Sequence, residues 1–163
     1  MDFKKGIEHL RKSDKELAKI IKEYPEPKIS KTKLYFQSLL RNIIYQQLST
    51  KSAFAIHNRF KKLFSSSTIN PEDVISISIN NLRKIGLSRQ KINYIQILAN
   101  EWPAINKKFA NIDSLDDNAI GTELMKVKGI GQWTVDMFLI FSLARPDVFP
   151  IGDLVIQKGY AKL

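Results

Sequence analysis

The sequence predicts an all-α protein, an orthogonal bundle of short helices. Three observations predict this class. Apolar residues recur at helical spacing along nearly the whole chain, continuous β alternation is weak, and proline and cap signals divide the chain into short segments. With 163 residues, of which 44% are hydrophobic, the chain can bury a core. We therefore expect one domain over residues 1–163, with no internal repeat and no linker.

The elements follow in order along the chain. Apolar spacing predicts a first helix over Ile7–Ile21, ended by the prolines of Tyr24–Pro27. Asn70-Pro71 is a cap followed by proline at the first helical position, and Ser88 is a cap for a longer helix through Trp102. The remaining helices are predicted over Leu34–Leu48, Ala53–Phe64, Val74–Ile77, Asn81–Ile85 and Asp116–Val127.

The charge of the chain predicts a polyanionic partner. Lys and Arg number 26 against 16 Asp and Glu, which gives a formal net charge of +10. Nucleic acid is the commonest such partner, and an anionic membrane surface is the second candidate. A merely solvated, lysine-rich surface is the remaining interpretation.

Several classes of protein are excluded by residues that the sequence lacks. There is no cysteine, which excludes disulfides, thiol nucleophiles, thiolate zinc sites and Cys-ligated iron–sulfur clusters. His9 and His57 lie far apart, with no partner at a metal-binding spacing. The N-terminus lacks a signal-peptide apolar run, and no apolar stretch reaches the ~18 residues of a membrane span. We expect an intracellular protein, located in the nucleoid of the cytoplasm if prokaryotic, without a membrane partner.

The most informative segment is Leu124–Val135, which predicts a helix-hairpin-helix. An apolar helix end runs into Gly129-Ile130-Gly131, and a second apolar helix begins at once. The glycines allow a tight turn and a close approach to another surface. The first amides of the second helix lack intrahelical partners and suit a phosphate oxygen. Lys126 and Lys128 flank the turn, so we favour a grip on the DNA backbone over an ordinary glycine-capped corner.

Three motifs occur in a specific order and spacing: Ile43–Ser49, Gly86–Lys91 and Val127–Thr134, with an aspartate after the hairpin's second helix. From Leu39 to the C-terminus the chain resembles the helix-hairpin-helix DNA glycosylase superfamily, specifically the 3-methyladenine-DNA glycosylase II branch. The resemblance implies a monomeric base excision repair enzyme that binds double-stranded DNA containing damaged bases. It implies no required cofactor.

The resemblance gives Asp153 the catalytic role, since Val148–Ile156 matches the family's catalytic stretch. The residues alone indicate an N-cap, because Asp153 follows Gly152 and precedes an apolar run. A carboxylate there stabilises an oxocarbenium-like sugar and orients or deprotonates the attacking water. The competing carboxylates are Asp113, Asp116, Asp117, Asp136 and Asp147, of which Asp136 lies one turn from Trp133.

Trp133 occupies the position where lyase-competent relatives have a lysine that forms a Schiff base. An indole cannot form one, so a monofunctional enzyme is predicted. Trp133 instead offers a face on which an extruded, cationic base stacks, at ~0.5–2 kcal/mol of cation–π attraction. Met137, one turn later, and Tyr45 are further candidates for the base pocket. The alternative for Trp133 is a core anchor at a helix start.

The resemblance also implies DNA contacts at two places. The loop of Gln46 and Gln47 enters the minor groove, with Gln47 as the wedge; the alternative is a polar helix end in solvent. The hairpin contacts come from Lys128, Gly129, Ile130, Gly131, Gln132 and Thr134. The family also binds a monovalent cation on hairpin carbonyls, which correspond to those of Met125, Val127 and Ile130.

The chain departs from the family at its end, because relatives continue beyond the position of Leu163. The resemblance therefore implies either a truncated chain or a base pocket that is open on one side. A non-catalytic protein that binds DNA structure, with Asp153 as a cap only, is the alternative function. A membrane-surface binder is disfavoured because no long basic amphipathic face is evident.

Overall fold

The computed structural model describes residues 3–162. Within them the chain forms ten α-helices and one 3₁₀ turn, Ile112–Ser114, and no strand. The helices are α1 (Phe3–Ser13), α2 (Lys15–Glu23), α3 (Tyr35–Tyr45), α4 (Thr50–Lys61), α5 (Pro71–Ser76), α6 (Ile79–Lys84), α7 (Arg89–Lys108), α8 (Asp117–Met125), α9 (Gln132–Phe141) and α10 (Leu154–Tyr160). The all-α prediction is confirmed. None of the described helices is long and apolar enough to cross a membrane.

The core is built around α3, which packs against α4, α7 and α9. Leu39, Leu40, Ile43 and Ile44 on α3 are buried almost completely. Helices α5 and α6 pack on α7, while α8 packs on α9. The consequence for function is that the ends of α3, α7 and α9 are fixed relative to one another by one continuous apolar cluster.

The first predicted helix is two helices, which corrects the sequence-based boundary. Asp14 interrupts the apolar spacing and caps α2, its Oδ1 accepting the amides of Glu16 and Leu17 at 2.8 and 2.9 Å. A side chain that satisfies free amides in this way favours a new helix start over a continuous helix. The end of α2 at Glu23, before the prolines, agrees with the prediction.

The long helix α7 extends further than its predicted end at Trp102. It continues through Pro103 to Lys108, although proline removes one intrahelical hydrogen bond. Trp102, Ile105 and Phe109 are all buried, and this packing outweighs the cost of the proline. The predicted start is confirmed, since Ser88 Oγ accepts the Lys91 amide at 3.2 Å.

Candidate active site and DNA-binding surface

A cleft of about 880 Å³ opens between three segments that are distant in sequence. They are residues 45–50 between α3 and α4, the start of α9 from Gly131, and residues 152–155 at the start of α10. The cleft brings together Tyr45, Trp133 and Asp153, which the sequence alone could not place side by side. Mostly apolar walls with one carboxylate suit a flat, weakly polar ligand.

Asp153 has a double role in this cleft. Its Oδ1 caps α10, accepting the amides of Val155 and Ile156 at 2.8 and 3.0 Å, so the predicted cap is confirmed. Its Oδ2 accepts the indole N–H of Trp133 at 2.7 Å. These bonds, the Trp133 bond first, hold the pKa of Asp153 below its usual range, although partial burial opposes them. The carboxylate is therefore ionised at neutral pH and fixed in position.

Trp133 is held at its indole N–H by Asp153 and lines the cleft with its ring. The residue is half-buried at the first turn of α9, lines the cleft, and has its indole nitrogen occupied by Asp153. An indole anchored through its N–H cannot rotate freely, so the orientation of the ring follows that of the carboxylate. Trp133 is thus a wall of the cleft and not a core anchor.

The other predicted pocket residues lie at different distances from the cleft. Tyr45 lines it, with the Arg41 guanidinium 4.7 Å from the ring centroid and His57 edge-on at 6.0 Å. Met137 is half-buried on α9 and is not among the residues that line the cleft. Asp136, the competing carboxylate, is buried away from it and accepts the Gln132 side-chain amide at 2.8 Å.

The two hairpin glycines differ in backbone conformation and in the space available for a side chain. Gly129 has φ +99°, and a Cβ there would lie 2.2 Å from the Tyr94 ring. Gly131 has an extended φ of −109° and open space around a built Cβ. The tight turn predicted for both glycines therefore applies to Gly129 alone, and the neighbour that Gly129 approaches closely is Tyr94 of the protein itself. Gly131 leaves a face that is open to an incoming surface.

Gln46 connects the hairpin to the end of α3. Its side-chain amide donates to the Gly129 carbonyl at 2.8 Å and to Thr134 Oγ1 at 2.9 Å. The amide predicted to contact DNA is therefore engaged within the protein. Gln47, the next residue, is exposed and has φ +54°. Of the two glutamines, Gln47 has the free side chain that a wedge requires.

Of the remaining residues predicted to contact DNA, some are exposed and others are buried. Lys128, Gly131 and Gln132 are exposed beside the hairpin. Ile130 is 5% exposed and Thr134 only 1%, and their amides donate to the carbonyls of Val127 and Gly131 at 3.0 and 2.9 Å, so neither residue offers a free amide to a partner. Gln132 and Trp133, in the first turn of α9, have no intrahelical acceptor for their amides, and a backbone grip through them stays a prediction.

Sequence reasoning missed one residue of this surface, Lys91. Its ammonium donates to the carbonyls of Ile44 and Gln46, both at 2.7 Å. Lys91 belongs to a motif that the sequence had singled out, but no local signal indicates that a lysine on the first turn of α7 points inward. Its partners are more than 40 residues earlier in the chain.

The chain is similar to known DNA repair proteins. Residues 40–163 match the family described as HhH-GPD superfamily base excision DNA repair protein. The chain is 34% identical over 151 residues to the DNA-3-methyladenine glycosylase 1 of Schizosaccharomyces pombe, covering 91% of this chain and 66% of that protein. It is 32% identical over 176 residues to the DNA-3-methyladenine glycosylase of Saccharomyces cerevisiae, covering 98% of this chain and 59% of that protein.

A solved structure gives the same result. The 3-methyladenine DNA glycosylase of Schizosaccharomyces pombe in complex with abasic DNA superposes with a TM-score of 0.87 at 33% identity, covering 96% of this chain and 78% of the other. The family match over residues 40–163 includes the hairpin and every residue that lines the cleft. This chain therefore belongs to the HhH-GPD superfamily of base excision DNA repair proteins.

Proposed function

We propose that this protein is a monofunctional DNA glycosylase that hydrolyses the N-glycosidic bond of flipped-out damaged bases in double-stranded DNA, with alkylated purines as substrates. One observation carries the proposal: an ionised carboxylate, Asp153, is hydrogen-bonded to an aromatic wall, Trp133, in a cleft beside the hairpin. The names of the relatives support alkylated purines as the substrate class.

The chemistry follows from the charges. An alkylated purine is cationic, and the bonding electrons leave with it, so that the released base is neutral. The sugar left behind resembles an oxocarbenium ion, which the fixed anion of Asp153 stabilises electrostatically. A water oxygen then bonds to C1′ and its proton passes to solvent. Asp153 Oδ1 is occupied by two amides and Oδ2 by one indole, which lowers its basicity and favours electrostatic stabilisation over proton abstraction.

Two features support binding of a damaged base before this step. Extrusion of a base costs a few kcal/mol and is least costly for a damaged one. The exposed Gln47 beside the cleft is suited to fill the gap in the stack, and the face of Trp133 is suited to receive a cationic ring. The +10 net charge supports affinity for the duplex itself.

Hydrolysis without a lyase step is supported by the lining of the cleft. No lysine is among the residues that line the cleft, all of which fall within residues 45–155. Lys126 Nζ is paired with Glu123 at 2.7 Å, and Lys91 is held by two carbonyls. A Schiff base needs a free amine at the sugar.

We therefore expect intact abasic sites as the product. Incubation with duplexes that each carry one alkylated purine should release the base, and borohydride should trap no covalent protein–DNA adduct. A bifunctional glycosylase/lyase under the same conditions serves as the positive control. Release of no base from any lesion would overturn the proposed function, whereas release together with a strong adduct would overturn only its monofunctional part.

Trp133→Phe tests the bond between the wall and the carboxylate. Phenylalanine keeps an aromatic face but removes the donor that most lowers the pKa of Asp153, so this pKa should rise towards its usual range. Excision requires the ionised form and is lost as pH falls through that pKa. The acid limb of the single-turnover pH–rate profile should therefore move to higher pH.

The matched control is Trp102→Phe, which changes the other tryptophan. Trp102 is buried against Phe36, with ring centroids 5.5 Å apart, and is not among the residues that line the cleft. The acid limb of the pH–rate profile for Trp102→Phe should coincide with that of the wild type. If the acid limb for Trp133→Phe also coincides with that of the wild type, the role assigned to the indole is contradicted.

A monovalent cation at the hairpin is part of the proposal. The Val127 carbonyl accepts the Ile130 amide at 3.0 Å, while the carbonyls of Met125 and Ile130 accept no hydrogen bond within residues 3–162. Unpaired carbonyls at a helix end fit a hard cation. Bound there, such an ion would supply positive charge towards a phosphate.

A non-catalytic DNA-structure binder is the second candidate, and one observation favours it: Asp153 is an N-cap. Many aspartates at such positions serve the helix only. The argument against it is that Oδ2, which the cap does not use, lies in the cleft on Trp133.

A further inference from the structure

Lys91 differs from the other cations of this basic surface in where its charge lies. It is half-buried, and burial lowers the pKa of its ammonium. Both of its hydrogen bonds, to Ile44 O and Gln46 O at 2.7 Å, run into the protein. Arg89, two residues earlier, is exposed by contrast. The two bonds of Lys91 use two of the three N–H donors of the ammonium and direct its charge towards the protein interior.

The carbonyls that Lys91 binds are those of the C-terminal end of α3. The last carbonyls of a helix lack intrahelical donors and carry the negative end of the helix dipole. Here the donor comes from another helix, across 45 to 47 positions of sequence. Lys91 therefore caps α3 and fixes the direction in which the chain leaves it.

The chain leaves α3 in a conformation that needs support. Gln47 has φ +54°, a left-handed conformation that costs free energy for a residue other than glycine and persists only where the surroundings impose it. Gln46 is held on both sides: Lys91 binds its carbonyl, while Gly129 and Thr134 bind its side chain. With Gln46 immobilised, the exposed Gln47 stands at the junction of the 880 Å³ cleft and a second cleft of about 380 Å³.

We propose that Lys91 is a positioning residue that holds the Gln46–Gln47 loop in the conformation required to extrude a damaged base, without contacting DNA itself. The inference rests on the proposed function for its catalytic consequence, but the clamp on the loop exists in the free protein. Extrusion and excision then depend on Lys91, while affinity for undamaged duplex does not.

The clamp is tested first without DNA. Lys91→Met keeps the apolar stem and removes the donor. Hydrogen exchange of the Gln46 amide, which donates to the Asn42 carbonyl at 3.1 Å, should therefore accelerate about tenfold or more, since an unsupported helix end opens locally. Lys91→Arg retains donors for both carbonyls and should keep wild-type exchange. Unchanged exchange in a folded Lys91→Met protein overturns the proposal, whatever the protein does to DNA.

The consequence for catalysis is tested by single-turnover excision of an alkylated purine from a duplex. Lys91→Met should excise about tenfold more slowly or worse, while its affinity for undamaged duplex and its salt dependence stay near wild type. Arg89→Met makes the same charge change on the same turn of α7. It should lower the affinity for undamaged duplex and leave the rate of excision near that of the wild type. A wild-type protein that excises nothing overturns the proposed function and not the clamp.

A double-mutant cycle separates positioning from general stability. If Lys91 acts through Gln47, then Lys91→Met should have little further effect on excision in a Gln47→Ala background. Additive losses of excision rate in the cycle would overturn the positioning role. So would a salt dependence of duplex binding whose slope falls by about one in Lys91→Met, as it does when a phosphate contact is lost. If Lys91→Met does not fold, the cycle is run with Lys91→Gln.

Discussion

Asp153→Asn is expected to slow the chemical step of base excision by about 10²-fold or more, the scale on which one preorganised electrostatic group acts. The neutral side chain no longer opposes the charge that develops on the sugar. The substitution also removes the hydrogen bond to Trp133. If the side-chain carbonyl of the new asparagine keeps capping α10, its NH₂ group faces the indole N–H, and two donors cannot bond to each other. Single-turnover kinetics on a duplex with one alkylated purine measures the effect.

The fold and the DNA affinity of Asp153→Asn should survive. Asparagine caps helices nearly as well as aspartate, so the expected loss of stability is about 1 kcal/mol at most. Lesion DNA should bind as well or better, because a negative charge near phosphate is removed. Asp147→Asn is the matched control, an exposed carboxylate of the preceding loop, and should leave the rate unchanged. An unimpaired rate for folded, DNA-bound Asp153→Asn would assign catalysis to another residue.

Gly129→Ala is expected to destabilise the protein by about 2–5 kcal/mol, through backbone strain and overpacking together. The φ of +99° is unfavourable for alanine, and the new Cβ would overlap the Tyr94 ring, whose nearest atom is 2.2 Å away. Relief requires movement of the hairpin, which also breaks the bond from Gln46 to the Gly129 carbonyl. Chemical denaturation should report the lost stability and a binding titration the lost DNA affinity.

Two controls make this result specific. Gly131→Ala, in the same hairpin, meets no atom within 4 Å and has an ordinary φ, so its cost should stay near the few tenths to ~1 kcal/mol of a poorer N-cap. Tyr94→Ala in the Gly129→Ala background should recover part of the stability, because it removes the overlapping ring. Equal losses for both glycines would contradict the account of the hairpin.

Much of the fold follows from local signals in the sequence. Ser88, Asp116 and Asp153 were predicted as helix starts, and each accepts a backbone amide one turn ahead. The hairpin, the all-α class and the family were predicted correctly, since cap chemistry and glycine spacing act over a few residues. Asp14 carries the same signal, but the continuous apolar spacing around it favoured one helix.

The parts of the site that sequence could not supply depend on contacts across the chain. The bond from Trp133 to Asp153 joins residues 20 positions apart, and that from Lys91 to Gln46 joins residues 45 apart. No periodicity encodes such pairs. Met137 is a further case: its helical spacing from Trp133 indicates a shared face of α9, yet it is not among the residues that line the cleft. The roles of the DNA-contacting residues stay predictions.

The hydrogen bonds within the cleft bear on how broadly the proposed glycosylase would recognise lesions. Trp133, Gln46, Thr134 and Ser49 all line the cleft, and each has a polar group engaged by the protein itself. A pocket discriminates sharply between ligands when its buried polar groups would be left unpaired by the wrong one, and only weakly when it distinguishes them by shape. Because these four groups are already paired, an ill-fitting base leaves none of them unsatisfied. On the proposed function, we therefore expect these four groups to contribute little to selectivity, and the lability of the glycosidic bond and the ease with which the base leaves the stack to contribute more.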